Sequence, residues 1–229
     1  MFRVDFIERY FSRVRPWQVL VLWVPVVLFL AVRAALDPAL SAAEDLGLGL
    51  GGVAAWTLLE YLLHRFLFHF QPSKGSVLAT DLWYLLHEVH HEYPYDRDRL
   101  VMPPLVSVLL AVLLAIPARL LAGPHAFDPF FAGLVAGYIW YDLTHYATHH
   151  LKPRTSWGRR RKAHHLLHHF KDPGTRFGVT TPLWDFVFGT LGTSAGAGSS
   201  PPTPSPRKRR GGQGVRITDW PPPARRPGG

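Results

Sequence analysis

Four long apolar runs organise the chain: Trp17–Val32, Leu46–Leu63, Leu100–Ala118 and Phe127–Tyr141. Gly, Pro and a few charges near the ends are their main interruptions, a pattern of membrane segments rather than of amphipathic surface helices. It predicts an all-α integral membrane protein with about four transmembrane helices. Each run is somewhat shorter than the ~20 residues of a full span, so a soluble helical core is the competing reading. Flanking residues such as Ala34–Leu36 and Leu120–Leu121 supply the missing length.

Charge placement orients these spans. Arg3, Arg9, Arg13 and Arg15 precede the first run, whereas Asp37, Glu44 and Asp45 follow it. By the positive-inside rule the N-terminus is cytosolic. Alternation across four spans then puts residues 64–100, and everything after about 145, on the same side, where most remaining Lys and Arg lie. The first apolar stretch lacks a small-residue cleavage site, so it reads as an anchor rather than a signal peptide. Three regions are expected: a cytosolic basic N-terminus (1–16), a membrane domain (17–190) with a cytosolic helical cap, and a tail (191–229).

The tail is Gly, Ser and Pro with a basic run at Arg207–Arg210, and no apolar periodicity could bury a core there, so disorder is expected. It carries six of the nine formal positive charges. The high isoelectric point therefore says little about the folded part. Attraction to anionic lipid headgroups and a merely solvated tail are both compatible with it. Nucleic-acid binding is not expected, as no motif for it is present. The chain has no Cys, which excludes disulfides and thiolate metal sites.

The histidines carry the chemistry. Twelve of the 13 fall in four clusters: His64 and His69; His87, His90 and His91; His145, His149 and His150; His164, His165, His168 and His169. The topology places all four clusters at or just beyond the cytosolic membrane face, with His125 alone on the opposite side. Residues at i, i+3 and i+4 share a helical face, so His87/His90/His91 and His165/His168/His169 can each aim three imidazoles at one point. His145 and His149 can do so with two. His64 and His69 are five apart, about 140° around an α-helix, so both can serve only if they straddle a site or the helix ends between them. A lone His is usually a satisfied core or surface residue. Ten imidazoles gathered at one face are metal ligands, and ten exceed the needs of one ion, so two ions with about five ligands each are expected.

The fragments Glu60–His69 (EYLLHRFLFH), His87–His91 (HEVHH), Arg99–Pro104 (RLVMPP), Tyr141–His149 (YDLTHYATH) and Lys162–Phe170 (KAHHLLHHF) together resemble the fatty acid hydroxylase superfamily. Phe177–Thr190 (FGVTTPLWDFVFGT) is especially similar to its fatty acid 2-hydroxylase branch. The resemblance covers roughly residues 56–190. It implies a dimetal centre held by His64, His69, His87, His90, His91, His145, His149, His165, His168 and His169, with His150 and His164 outside the ligand set. It implies iron in the working enzyme, with zinc a plausible occupant of isolated protein, and O2 as co-substrate. The substrate implied is a long acyl chain, free or sphingolipid-linked, hydroxylated at C2. Many members begin with a haem-bearing cytochrome domain for which this chain has no room, so the electron donor is expected to be a separate protein.

Hydroxylating an unactivated C–H bond leaves the hard chemistry to the metals, while the protein supplies position and excludes water. The acyl chain is expected to enter a cleft between the helices with its headgroup near the interface. Glu60 lies four residues before His64 and Asp142 three before His145, so each could accept an imidazole N–H and fix its tautomer. Glu88 and His91 form one weak E-x-x-H pair. Trp184 and Asp185 are expected to pack and cap the final segment rather than touch substrate. Sterol desaturation or carotenoid hydroxylation is the alternative within the superfamily. From other classes, a metal transporter would hold its ligands near the bilayer midplane, and a noncatalytic lipid-binding protein would have no use for two metals. The excess of Arg over Lys and abundant Ala, Gly and Pro point to a GC-rich bacterial genome and a cytoplasmic membrane.

Overall fold

A computed structural model describes residues 13–70 and 87–192. The tail beyond 192, Arg3 and Arg9 lie outside the described residues. Helix α1 (Pro16–Leu36) begins with Pro in its first turn, where a missing N–H costs nothing. Helix α2 (Ala42–Leu62) starts in a capping box: Ser41 accepts from the Glu44 N–H and Glu44 reaches back to the Ser41 N–H. It runs directly into a π-helical turn, Leu63–Phe68. A short α3 (Val89–Glu92) precedes α4 (Pro104–His150), followed by α5 (Ser156–Phe170) and α6 (Leu183–Val187). No strand occurs among the described residues.

Three of these elements are long and apolar enough to cross a membrane: α1, α2 with its π-turn, and α4. The third is two helices joined at Gly123, whose φ of 75° only glycine adopts readily. Its arms, 104–122 and 124–150, fold back on each other. Trp23 of α1 hydrogen-bonds Ser107 of the first arm and meets Tyr138 of the second edge-on, and the Met102 N–H points to Asp142. Four rods therefore span the fold, as the apolar runs predict, and the first arm's ~28 Å suits a ~30 Å hydrocarbon core. That arm starts at Pro104 rather than Leu100. Proline cannot continue a helix backward, so Leu100 and Val101 pack in the core as non-helical chain.

Large apolar side chains cover the outside of the rods: Val21, Phe29, Leu46, Leu113 and Leu121 are among the exposed residues. So broad an apolar surface is costly in water and suits lipid, which rules against the soluble-core reading. Inside, Trp56 and Tyr138 pack edge to face among Trp23, Phe131, Leu134 and Val135. Small residues let α2 and α4 approach closely. A Cβ on Gly133 would stand 1.9 Å from the Gly49 carbonyl oxygen, and one on Gly52 would stand 2.0 Å from that of Phe130.

The two ends of the bundle differ. At one end Arg33 pairs with Asp128 and His125 with Asp37, beside the Gly123 turn. At the other end the Val14 N–H bonds the Asp98 carbonyl, so the start of α1 lies beside the loop leading into α4. His145 and His149 sit on the last turns of α4 at that same end, away from His125.

Candidate metal centre

The ten predicted histidines form two compact groups. His64, His69, His87, His91 and His168 make one, and His90, His145, His149, His165 and His169 the other, with the five ligand atoms of each within 4.8 Å of one another. The rings are largely buried, His64 and His168 completely. His91 and His169 stack at 4.0 Å between centroids and join the two groups. No carboxylate belongs to either, so the Glu88–His91 pair does not act as a di-iron glutamate motif among the described residues.

Local geometry decides who joins whom. The expectation that each triplet aims three imidazoles at one point does not hold, because every triplet is split. His87 and His91 go to the first group and His90 to the second; His165 and His169 go to the second and His168 to the first. Residues four apart differ by ~40° in direction on an α-helix, whereas a third at i+3 diverges by ~100° from its i+4 partner. The i,i+4 pairs therefore stay together, as do His145 and His149. His64 and His69 follow the second predicted arrangement, since the helix ends at Phe68, between them. The helix widens into a π-turn in which the His69 N–H bonds the His64 carbonyl, bringing residues five apart onto one face with their Nε2 atoms 3.3 Å apart.

The donor set fits metal ions and does not fit hydrogen bonding alone. Neighbouring Nε2 atoms are 2.8–3.0 Å apart around most of both groups. Nitrogens bound at right angles to one ion with ~2.1 Å bonds would stand roughly 3 Å apart. His87 Nε2 faces both His64 and His91, yet a ring nitrogen offers either one proton or one lone pair. Two rings also have their tautomers fixed: His64 Nδ1 bonds the Phe177 carbonyl, and His168 Nδ1 the Thr175 carbonyl at 2.6 Å. With the proton on Nδ1, each Nε2 presents a lone pair to its group. Burial lowers the pKa of His69 to about 4 and that of His168 to about 3, and holds His87, His90, His91, His165 and His169 well below their ordinary value. Neutral imidazole is the ligating form.

Glu60 and Asp142, expected to orient imidazoles, do not. Glu60 accepts from the Thr180 backbone and hydroxyl at 2.9 and 2.7 Å, and Asp142 from the Met102 N–H. The physical reason is that the outward nitrogens of His64 and His168 are taken by backbone carbonyls, and the Nδ1 atoms of all five rings in the second group have no partner. Carbonyl partners leave no trace in side-chain spacing, which is why residue patterns point to carboxylates instead. Asp185 holds more than a cap: buried beneath the loop, it accepts from Phe177, Gly178, Thr190 and His164. Trp184 packs as expected, its indole N–H on Thr57 of α2. His150 and His164 stay outside both groups.

A small apolar cleft lies between α1, α2 and both arms of α4, lined by Trp23, Trp56, Leu110, Phe131 and Tyr138 among others. Tyr138 precedes His145 by two helical turns, so the cleft lies about 10 Å deeper in the bundle than the nearest histidines.

The fatty acid hydroxylase family matches residues 49–190. The chain is 41% identical over 196 residues to a dihydroceramide fatty acyl 2-hydroxylase of Arabidopsis thaliana, covering 83% of this chain and 78% of that protein. It is 36% identical to the fatty acid 2-hydroxylase of Rattus norvegicus, with 83% and 56% covered, and 42% identical to a ceramide very long chain fatty acid hydroxylase of Saccharomyces cerevisiae, with 78% and 46% covered. A solved structure described as full-length scs7p, with only its hydroxylase domain visible, superposes with a TM-score of 0.75 at 37% identity, covering 87% of this chain and 72% of that one. These relatives are from plant, mammal and yeast and give no support to a bacterial membrane. Helical rods, paired histidine groups and sequence agree: the chain belongs to the fatty acid hydroxylase family.

Proposed function

We propose that this protein is a membrane-bound dimetal oxygenase that hydroxylates a long acyl chain at C2, on a free or sphingolipid-linked fatty acid. The observation that carries the reading is the gathering of ten imidazoles into two five-membered groups at one end of the spans. Iron in both positions, with O2 and electrons from a separate donor protein, supplies the oxidising chemistry when bound. The ten histidines are the ligands, and the fully buried rings of His64 and His168 keep that end dry. The acyl carbonyl sits near the interface beside the histidines, and the chain runs into the apolar cleft about two helical turns deeper. This places C2, rather than a mid-chain carbon, at the metals. The histidine end is cytosolic, in keeping with the Arg-rich approach to α1. A transporter would place its ligands near mid-membrane, and the relatives are 2-hydroxylases rather than sterol or carotenoid enzymes.

Expression with a suitable reductase is expected to add one oxygen atom to long acyl chains, with mass-spectrometric fragments placing the hydroxyl beside the carbonyl. A new double bond, or a hydroxylated sterol or carotenoid with acyl chains unchanged, would overturn the C2 assignment.

A further inference from the structure

We propose that His164, Asp185 and the loop 175–190 form an orienting clamp that serves only one of the two metal positions, the one built by His64, His69, His87, His91 and His168. The proposal rests on the ligand reading above. Asp185 is fully buried. Its Oδ1 accepts the Phe177 N–H and the Thr190 hydroxyl, both at 2.8 Å, and its Oδ2 accepts the Gly178 N–H at 2.9 Å and meets His164 Nε2 at 3.0 Å. The peptide joining Phe177 to Gly178 is trans, so its N–H and C=O point in opposite directions. With the Gly178 N–H fixed on Asp185, the Phe177 carbonyl is aimed the other way, onto His64 Nδ1. One rigid plane thus links the carboxylate to a ligand ring.

The rest of the loop is held around that plane. The Arg176 N–H bonds the Thr190 carbonyl and the Thr190 N–H the Asp185 carbonyl, closing the loop beside the Thr175 carbonyl that orients His168. Thr190 also meets the Tyr61 hydroxyl of α2, at 3.0 Å, three residues before His64. A side chain on Gly178 would strike the Thr181 carbonyl oxygen at 2.1 Å, so the turn admits no larger residue. Nothing equivalent serves the second group among the described residues. Its five Nδ1 atoms, on His90, His145, His149, His165 and His169, are buried without a hydrogen-bond partner. The first position is therefore pre-oriented and holds its ion more tightly, and His164 and Asp185 act on it as positioning residues.

The test is zinc release from the full chain in detergent, loaded with Zn²⁺ and challenged with a chelator, with metal counted per chain. The wild type is expected to hold two ions and lose them in two phases. His164→Ala should weaken one ion roughly 10- to 100-fold and leave the other unchanged, as loss of an outer hydrogen-bond partner does. His164→Gln, which keeps an N–H toward Asp185, should restore the slow phase, and Asp185→Asn should leave one ion. A single phase in the wild type, or a His164→Ala protein that loses both ions equally or neither, overturns the clamp. A wild type that binds no metal overturns the ligand reading itself.

Discussion

His168 and His125 are chemically the same side chain and differ only in where the fold puts them. His168 is fully buried with its Nδ1 on a carbonyl and its Nε2 3.0 Å from that of His69; His125 pairs with Asp37 at the far end. His168→Ala is expected to lower metal content below two ions per chain and abolish turnover, whereas His125→Ala changes neither, as elemental analysis and product assay will show. The low pKa values of His69 and His168 also predict a pH dependence. Between about 6.5 and 4 the unfolded chain takes up protons that the folded one refuses, so stability is fully present above that window and is lost as pH falls through it. Metal retained after dialysis at stepped pH should hold while these rings stay neutral and fall as pH drops through about 4 and 3, and retention unchanged below that range would contradict neutral ligation by these rings.

Among the elements, the contact between α2 and α4 is the most demanding. Gly133 faces the Gly49 backbone so closely that any side chain forces the helices apart. Gly133→Val should therefore cost about 1–3 kcal/mol or more in overpacking and lower the thermal midpoint in detergent. Gly47→Ala and Gly51→Ala, whose added Cβ atoms meet nothing within 4 Å, should leave the midpoint unchanged or slightly raised. The π-turn Leu63–Phe68 is the other element with a defined task, since its wider turn lets residues five apart, His64 and His69, share one face. Spacing alone made that pair look awkward, because an i,i+5 separation suits a π-turn and not an α-helix.

For the whole molecule, the described residues up to Gly192 contain both histidine groups, the loop that braces one of them and the apolar cleft. The tail 191–229 is proposed to lie outside the working domain, as its composition offers no apolar face. A chain ending near Gly192 should keep its fold, two metal ions and activity in a membrane, and loss of metal on truncation would show that the tail is structural.

Apolar run length and the positive flank of α1 determined the four-rod membrane fold, because transfer of side chains into lipid depends on composition along a segment and little on its partners. Histidine count and clustering likewise determined that two ions could be held at one end. The tertiary structure alone decided the partition, His90 away from His87 and His91, His168 away from His165 and His169, since ring direction depends on the angle at which α3, α5 and the π-turn converge. It also replaced Glu60 and Asp142 by the carbonyls of Phe177 and Thr175 as the groups that orient ligands. Every residue carries a carbonyl, so no residue pattern singles one out, and only the folding of a distant loop onto α2 brings those two to the rings.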